Sequence, residues 1–332
     1  MFFMKKLIST ILLITVFMTL ILSGCKYNTS ATVHVAEGFY FNTFVSVKLY
    51  GCGSEELAQE AVKLCEYYEH IFSRSQKESV LSIANTEQKL TKDNKDKTIL
   101  YEVIKDSLQY AKLTEGALDI TVKPLSELWN FTENEGKVPA QDEINKALEN
   151  VDYSKITMDE NEIIFNNAEI DCGAVAKGYV ADRIKDFLIE NKIDSAIINL
   201  GGNVLCIGDK PTGEDFVIGV KKPYSEEVIL GLKIDDYSVV TSGVYERYFE
   251  ADGVKYHHIL NPDTGIPCEN GLLSVTIVAE SSFECDALST GCFVMGLEKA
   301  TELINNMDNV YAIFIDENYD IHYTHGAEKF VN

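Results

Sequence analysis

The sequence predicts an α+β fold, largely antiparallel sheets with interspersed helices. Two observations carry this. Many short apolar or alternating runs are joined by brief turns, and the helical patterns fall between them irregularly, where a regular α/β fold would alternate them.

Phe41 to Tyr50 alternates apolar and polar residues and reads as a first strand. Ser54 ahead of Glu55 and Glu56 is a helix start, and Leu57, Ala61, Leu64, Cys65, Tyr68 and Phe72 recur at helical spacing. A second helix carries Leu100, Val103, Ile104, Leu108 and Ala111, with Gly116 to stop it. Lys155 to Met158 and Glu162 to Phe165 read as a hairpin around Asp159-Glu160-Asn161. A third helix spans Gly173 to Glu190, with Val175, Tyr179, Ile184 and Leu188 on one side. Strands dominate afterwards: Ile193 to Asn199, Phe216 to Val220, Val228 to Ile234, Ser238 to Val240, Tyr245 to Glu250, Lys255 to Leu260 and Leu272 to Ala279. Asp252-Gly253 supplies a hairpin turn. Helices over Phe283 to Met295 and Leu297 to Met307 and a closing hairpin complete the order.

The first residues, Met1-Phe2-Phe3-Met4-Lys5-Lys6, precede an apolar run from Leu7 to Leu22. A positive start before a hydrophobic stretch is the layout of a secretory signal. The run ends at Leu22-Ser23-Gly24-Cys25, similar to the lipobox of bacterial lipoproteins, which would make Cys25 the acylated N-terminus. The alternative is an uncleaved membrane anchor, although roughly 16 residues fall short of a comfortable span. Either way the remainder is expected outside the cytoplasm, lipid-anchored on the extracytoplasmic face of the cell membrane.

A net charge of -23 excludes nucleic acid as a partner on electrostatic grounds, since phosphate backbones need clustered Lys and Arg. Beyond Cys25 the cysteines are Cys52, Cys65, Cys172, Cys206, Cys268, Cys285 and Cys292, without a C-x-x-C pair or metal-ligand spacing. Their apolar neighbours make them small buried hydrophobes.

Asp286, Ser289 and Thr290 occupy i, i+3 and i+4 of a helix and so share one face. Hard oxygen ligands of this kind suit Mg²⁺, which takes one or two carboxylates plus phosphate oxygens from its substrate. The same spacing also occurs on solvated helix faces. The apolar setting, Ala287-Leu288 and Gly291-Cys292-Phe293, favours the metal, because a carboxylate entering a core needs a compensating charge. Asp171-Cys172-Gly173-Ala174-Val175-Ala176-Lys177-Gly178 is a small-residue turn between a strand and a helix, where backbone can approach a phosphate and Lys177 adds charge. It lacks the Walker A and dinucleotide glycine spacings. Tight packing with a snorkelling Lys177 is the bland alternative. Leu200-Gly201-Gly202-Asn203 has the same ambiguity. Gly116 to Val122 places Asp119 in a β-like apolar run, and His257-His258 sits on a strand that would send the two imidazoles to opposite faces.

In order and separation, these segments resemble the ApbE family of FAD:protein FMN transferases, from Phe41 to about Gly296. The most specific stretches are Thr114 to Leu125 with Leu128-Trp129, Asp171 to Tyr179, Asn199 to Asn203, Thr241-Ser242-Gly243 with Tyr245-Glu246-Arg247, His258 to Gly265, and Cys285 to Gly291. The resemblance implies a cleft for FAD, the substrate, built from Ala117, Leu118, Asp119, Asp171, Lys177 and the main chain at Leu260. It implies Mg²⁺ on the Ala174 carbonyl with Asp286, Ser289 and Thr290. Ser75 stands where many members carry an aromatic able to stack on the isoalloxazine, and Phe41 where members often have Met, so Phe41 is expected to supply some of the lost surface. Asn261 replaces the more frequent Asp ahead of Pro262, and either forms the turn.

The expected domains are a signal peptide over 1–24, a lipid-anchored tether over 25–36 and one transferase domain over 37–332. The expected reaction cleaves the FAD pyrophosphate and joins FMN to a Ser or Thr hydroxyl of an exported flavoprotein acceptor, such as a redox-complex subunit, releasing AMP. His258 is the candidate base, since an imidazole titrates near neutral pH, with Asp119, Asp171 or a metal-bound water as the alternatives. The alternatives are an FAD pyrophosphatase giving FMN and AMP, and a non-catalytic flavin-binding lipoprotein.

Overall fold

The computed structural model describes residues 32–132 and 137–332. The expectations for the signal segment and Cys25 lie outside the described residues. The chain opens with strands β1 (Val33–Tyr40) and β2 (Thr43–Tyr50), followed by helices α1 (Glu55–Phe72) and α2 (Val80–Glu87). Next come β3 (Lys89–Thr91), α3 (Lys95–Leu113), α4 (Lys123–Trp129) and α5 (Gln141–Leu148). The short strands β4 (Thr157–Met158) and β5 (Glu162–Ile164) precede α6 (Ala176–Glu190). Then β6 (Ala196–Leu200), β7 (Asn203–Ile207), β8 (Phe216–Lys221), β9 (Val228–Ile234), β10 (Ser238–Gly243), β11 (Tyr248–Ala251), β12 (Val254–His257) and β13 (Leu272–Ala279) lead to α7 (Ser282–Met295), α8 (Leu297–Asn305), β14 (Tyr311–Asp316) and β15 (Ile321–Tyr323).

Eight strands form the main sheet in the order β1-β2-β6-β7-β10-β13-β14-β15, and every neighbouring pair is antiparallel. The α+β expectation holds. One face buries Val45, Val47, Leu49, Ile198 and Leu200 against α1 and α6, and Ile277 and Val275 against α7. The other buries Val239, Val278 and Ile313 beneath the β8–β9 hairpin.

Four expectations need correction. The strand expected from Phe41 begins at Thr43 and is the second of two, because Phe41 and Asn42 take φ of +53° and +55° and fold the chain back from β1 into a hairpin that pairs Tyr40 with Thr43. The tether is shorter than residue 36, since Val33 to Ala36 already pair in β1. The Gly116 to Val122 run is no strand; it makes one isolated bridge, Val122 to Glu169, and is shaped by side-chain bonds described below. Asn203 to Ile207, unforeseen, is a strand buried on both faces, where alternation gives no signal. The Asp252-Gly253 turn does form, with φ of +52° and +78° at its two residues.

Six of the seven described cysteines are buried and one, Cys52, is exposed, and none is in a disulfide. Burial pushes the Cys65, Cys206 and Cys292 thiols up to about 12, so they pack as apolar groups.

Helices α6 and α7 approach so closely that a Cβ on Gly178 would lie 2.3 Å from the Ser282 carbonyl oxygen and 2.8 Å from Asp286 Cβ. Gly178→Ala therefore forces backbone apart. Overpacking of this kind costs about 1–3 kcal/mol, which outweighs the roughly 1 kcal/mol that Ala gains over Gly inside a helix. The urea midpoint of Gly178→Ala should fall; a midpoint equal to wild type would show that the seam can open freely.

Candidate active site

Asp286 is buried on α7 at this seam, 4% exposed. Its Oδ2 accepts the Gly178 N–H at 2.9 Å, and Lys177 Nζ stands 3.4 Å from Oδ1. Gly178 is in the first turn of α6, where N–H groups have no partner within the helix, whose first regular bond runs from the Tyr179 N–H to the Val175 carbonyl. Asp286 supplies the missing acceptor and caps α6 from 108 residues away. Burial pushes the Asp286 carboxyl up, and Lys177, the Gly178 N–H and the Asn203 carboxamide oppose that shift. Asn203 itself is buried, with Oδ1 accepting from Ser282 Oγ at 2.8 Å and Nδ2 closing no full hydrogen bond.

One turn along α7, Ser289 Oγ donates to the Asp286 carbonyl at 3.0 Å and lies 2.8 Å from Ser242 Oγ, which is also 3.3 Å from Thr290 Oγ1. Ser242, on β10, thus holds both hydroxyls of the predicted metal face. The donor set is a carboxylate and two hydroxyls, with the Ala174 carbonyl in the turn that leads into α6, all hard oxygens. This fits Mg²⁺, and the Lys177 ammonium already marks the spot as one that favours positive charge. Among the described residues the only group of three acidic, His or Cys ligands is the exposed set Asp209, Asp215 and Asp235, remote in type from this buried one.

The turn before α6 is shaped by Asp171, whose Oδ1 accepts the Gly173 N–H at 2.8 Å and whose Oδ2 pairs with Arg74 Nε at 3.2 Å. That ion pair brings the loop containing Ser75 to the turn. Ser75 is exposed, 3.3 Å from Ser73 Oγ. Phe41 sits partly buried in the β1–β2 turn, its N–H donated to Glu69 Oε1 at 2.7 Å. Asp119 is turned inward: Oδ1 accepts from Thr121 N–H at 2.7 Å and Thr121 Oγ1 at 2.6 Å, and Oδ2 from Tyr153 N–H at 2.9 Å. With its carboxylate so engaged, this segment can offer a ligand its backbone and the partly exposed Ala117, while Leu118 is buried. Gly291 allows the approach of that segment to α7, since a Cβ there would meet Thr114 Cγ2 at 2.7 Å and Leu118 Cβ at 3.4 Å.

The histidines separate as strand geometry requires. His257 is buried, Nε2 donating to the Cys268 carbonyl at 3.0 Å, with its ring against Phe293. His258 Nδ1 lies 3.2 Å from the Arg247 carbonyl, which also accepts the His258 N–H at 3.0 Å. A carbonyl can only accept, so Nδ1 carries the proton and Nε2 presents a lone pair. Burial, then the Arg247 charge, pushes this imidazole down to about 3, with a smaller contribution from Lys177. The expectation of a near-neutral titration is thus corrected: His258 is already neutral at physiological pH. Leu260 makes an isolated antiparallel bridge with Pro267, which has no N–H to offer the Leu260 carbonyl. Trp129 Nε1 donates to the Gly265 carbonyl at 2.8 Å and anchors this turn over α4.

Residues 41–314 match the model of the ApbE family. The chain belongs to that family. An FAD:protein FMN transferase of Klebsiella pneumoniae is 33% identical, over 83% of this chain and 87% of the relative. One of Treponema pallidum is 32% identical, over 77% and 76%. The crystal structure of an ApbE protein from Thermotoga maritima superposes with a TM-score of 0.82 at 32% identity, covering 91% of this chain and 100% of that one. The flavin transferase ApbE of Vibrio cholerae superposes with a TM-score of 0.80 at 27% identity, over 91% and 100%.

Within this ApbE fold, the structure joins Lys177, Asp286 and Ser289 directly, and Thr290 through Ser242, while Ala174 lies in the turn before α6. Asp171 belongs to the same turn as Ala174, whereas His258 reaches the group only through the field of Lys177. Sequence reasoning did not single out Ser242, Asn203 or Arg74 as site residues. Ser242 and Asn203 lie inside quoted motifs, but nothing local reveals that their side chains meet α7.

The depressed His258 pKa has a direct consequence. The ordinary value is 6.5, the folded value about 3, so the imidazole binds no proton as pH falls through neutrality. An NMR titration of its C2–H in the metal-free protein should show no step between about pH 5 and 8. A midpoint near 6.5 would mean that the ring is solvated.

Proposed function

We propose that this chain is a Mg²⁺-dependent FAD:protein FMN transferase that joins FMN through a phosphoester to a Ser or Thr hydroxyl of an exported acceptor protein and releases AMP. The enzyme class follows from the family and from its relatives. The metal dependence is supported by one observation above the others: the buried Asp286 carboxylate is held at the α6–α7 seam by the Gly178 N–H and Lys177, with the Ser289 and Thr290 hydroxyls one turn along α7.

Mg²⁺ held by Ala174, Asp286, Ser289 and Thr290 would offset charge on the FAD pyrophosphate oxygens. Lys177, relieved of Asp286, is placed to pair with the same oxygens. Ser242 orients the Ser289 and Thr290 hydroxyls. The Asp171 turn and the Gly116 to Val122 backbone wall the FAD cleft, and the Leu260 carbonyl is available to a donor on FAD. The acceptor hydroxyl attacks the FMN-side phosphorus, the bond to the AMP phosphate breaks, and AMP leaves with the electron pair. His258 Nε2, unprotonated, takes the hydroxyl proton. Approaching phosphate charge would raise its basicity from the low value set by burial and Arg247. Anchored through Cys25 on the extracytoplasmic face of the membrane, the enzyme would meet acceptors that are themselves exported.

Asp286→Asn preserves volume and the acceptor for Gly178 but removes the charge that Mg²⁺ requires. Flavinylation of an acceptor, read by in-gel flavin fluorescence, should fall by at least about a hundredfold, with a nearly unchanged melting temperature in metal-free buffer. Near-normal transfer at ordinary Mg²⁺ would remove the metal site. FAD and Mg²⁺ without acceptor should give little AMP; rapid full turnover would identify a pyrophosphatase.

A further inference from the structure

Asp182 lies one helical turn beyond Gly178 on α6, and its carboxylate does for α7 what Asp286 does for α6. Its Oδ1 accepts the Ser282 N–H at 2.8 Å, and its Oδ2 accepts the Phe283 N–H at 3.0 Å and the Ser281 hydroxyl at 3.0 Å. Ser282 and Phe283 open α7, where N–H groups have no helical partner. Gly178 in turn gives its N–H to Asp286 at 2.9 Å. Each helix therefore caps the other with an acid, Asp182 on Ser282 and Asp286 on Gly178, four residues apart on both sides. The two grips fix the axial position and rotation of α7 on α6. Because a Cβ on Gly178 would meet the Ser282 carbonyl at 2.3 Å, neither helix can slide without breaking contact.

We propose that Asp182 is a positioning residue for the metal centre: by clamping the first turn of α7 it fixes where Asp286, Ser289 and Thr290 stand against α6. The inference rests on the reading of Asp286 as a Mg²⁺ ligand. Once a cation draws Asp286 Oδ1 away from Lys177, the Asp286 side of the clasp is shared between metal and Gly178. The Asp182 side touches no ligand group and remains to hold the register. The hydrogen bonds of the Asp182 carboxylate go to Ser281, Ser282 and Phe283, so its loss should act on the metal and leave the adenosine and flavin contacts alone.

The test uses the full-length chain, with Mn²⁺ as spin probe for the cation and FAD present. Asp182→Asn keeps the shape but exchanges one acceptor oxygen for an amide that faces N–H or O–H donors. It should weaken Mn²⁺ binding, measured by electron paramagnetic resonance, by about tenfold or more, as loss of groups that orient metal ligands does. Transfer should recover at saturating Mg²⁺, with KM for FAD little changed, whereas Asp286→Asn should not recover. Ser281→Ala, which removes one of the three bonds to Asp182 together with the cap on the Glu284 N–H, should shift Mn²⁺ affinity in the same direction by less. Val180→Ala, a cavity in the fully buried core face of α6, serves as the stability control and should lower the melting temperature with Mn²⁺ affinity intact. An unchanged Mn²⁺ affinity in Asp182→Asn, or an equal loss in Val180→Ala at matched melting temperature, would overturn the clamp while leaving the metal site standing. Wild-type protein that binds no Mn²⁺ with FAD would overturn both.

Discussion

The Asp286 carboxylate can remain enclosed between α6 and α7 only because positive charge and N–H donors surround it. Burial acts against its charge, and Lys177 and Gly178 act for it. Much of the neighbouring structure follows from that balance. Gly178 must be glycine because the carboxylate and the Ser282 carbonyl occupy the space a side chain would need. Its N–H, which has no partner inside α6, is satisfied by the carboxylate. Lys177 supplies the counter-charge as a loose partner, 3.4 Å from Oδ1.

The sheet collects what the chain scatters. β7 carries Asn203 and β10 carries Ser238 and Ser242, and α7 crosses both strands. A buried relay passes from Ser238 Oγ to Ser282 Oγ at 2.9 Å and on to Asn203 Oδ1 at 2.8 Å, tying the start of α7 to the sheet. One turn later Ser242 meets Ser289 and Thr290. Small hydroxyl side chains serve here because they bond at close range without holding the helix off the strands.

Acidic groups elsewhere illustrate how environment divides residues of one kind between chemistry and scaffolding. Asp119 spends both oxygens on Thr121 and Tyr153 and shapes the segment that packs on Gly291. Asp171 spends one oxygen on its own turn and the other on Arg74. His257 and His258 divide likewise: one ring is bonded into the core beside Phe293, and the other keeps an unprotonated nitrogen, set by the Arg247 carbonyl.

The sequence by itself determined the α+β class, the helices begun by Ser54 and carried through Asp286, and the Asp252-Gly253 hairpin. These depend on periodicity, caps and turn chemistry, which act over a few residues. The shared face of Asp286, Ser289 and Thr290 was legible for the same reason, since helical spacing alone creates it. Only the tertiary structure decided that Ser242 reaches those hydroxyls, that Gly178 donates to an acid 108 residues away, and that Asp182 caps α7 from 100 residues before it. Likewise, the His258 pKa and the division of Phe41 to Tyr50 from its preceding strand came from burial and from pairing with β1. Contacts between distant segments and the desolvation they impose depend on how the sheet is ordered, and no local pattern of residues encodes that order.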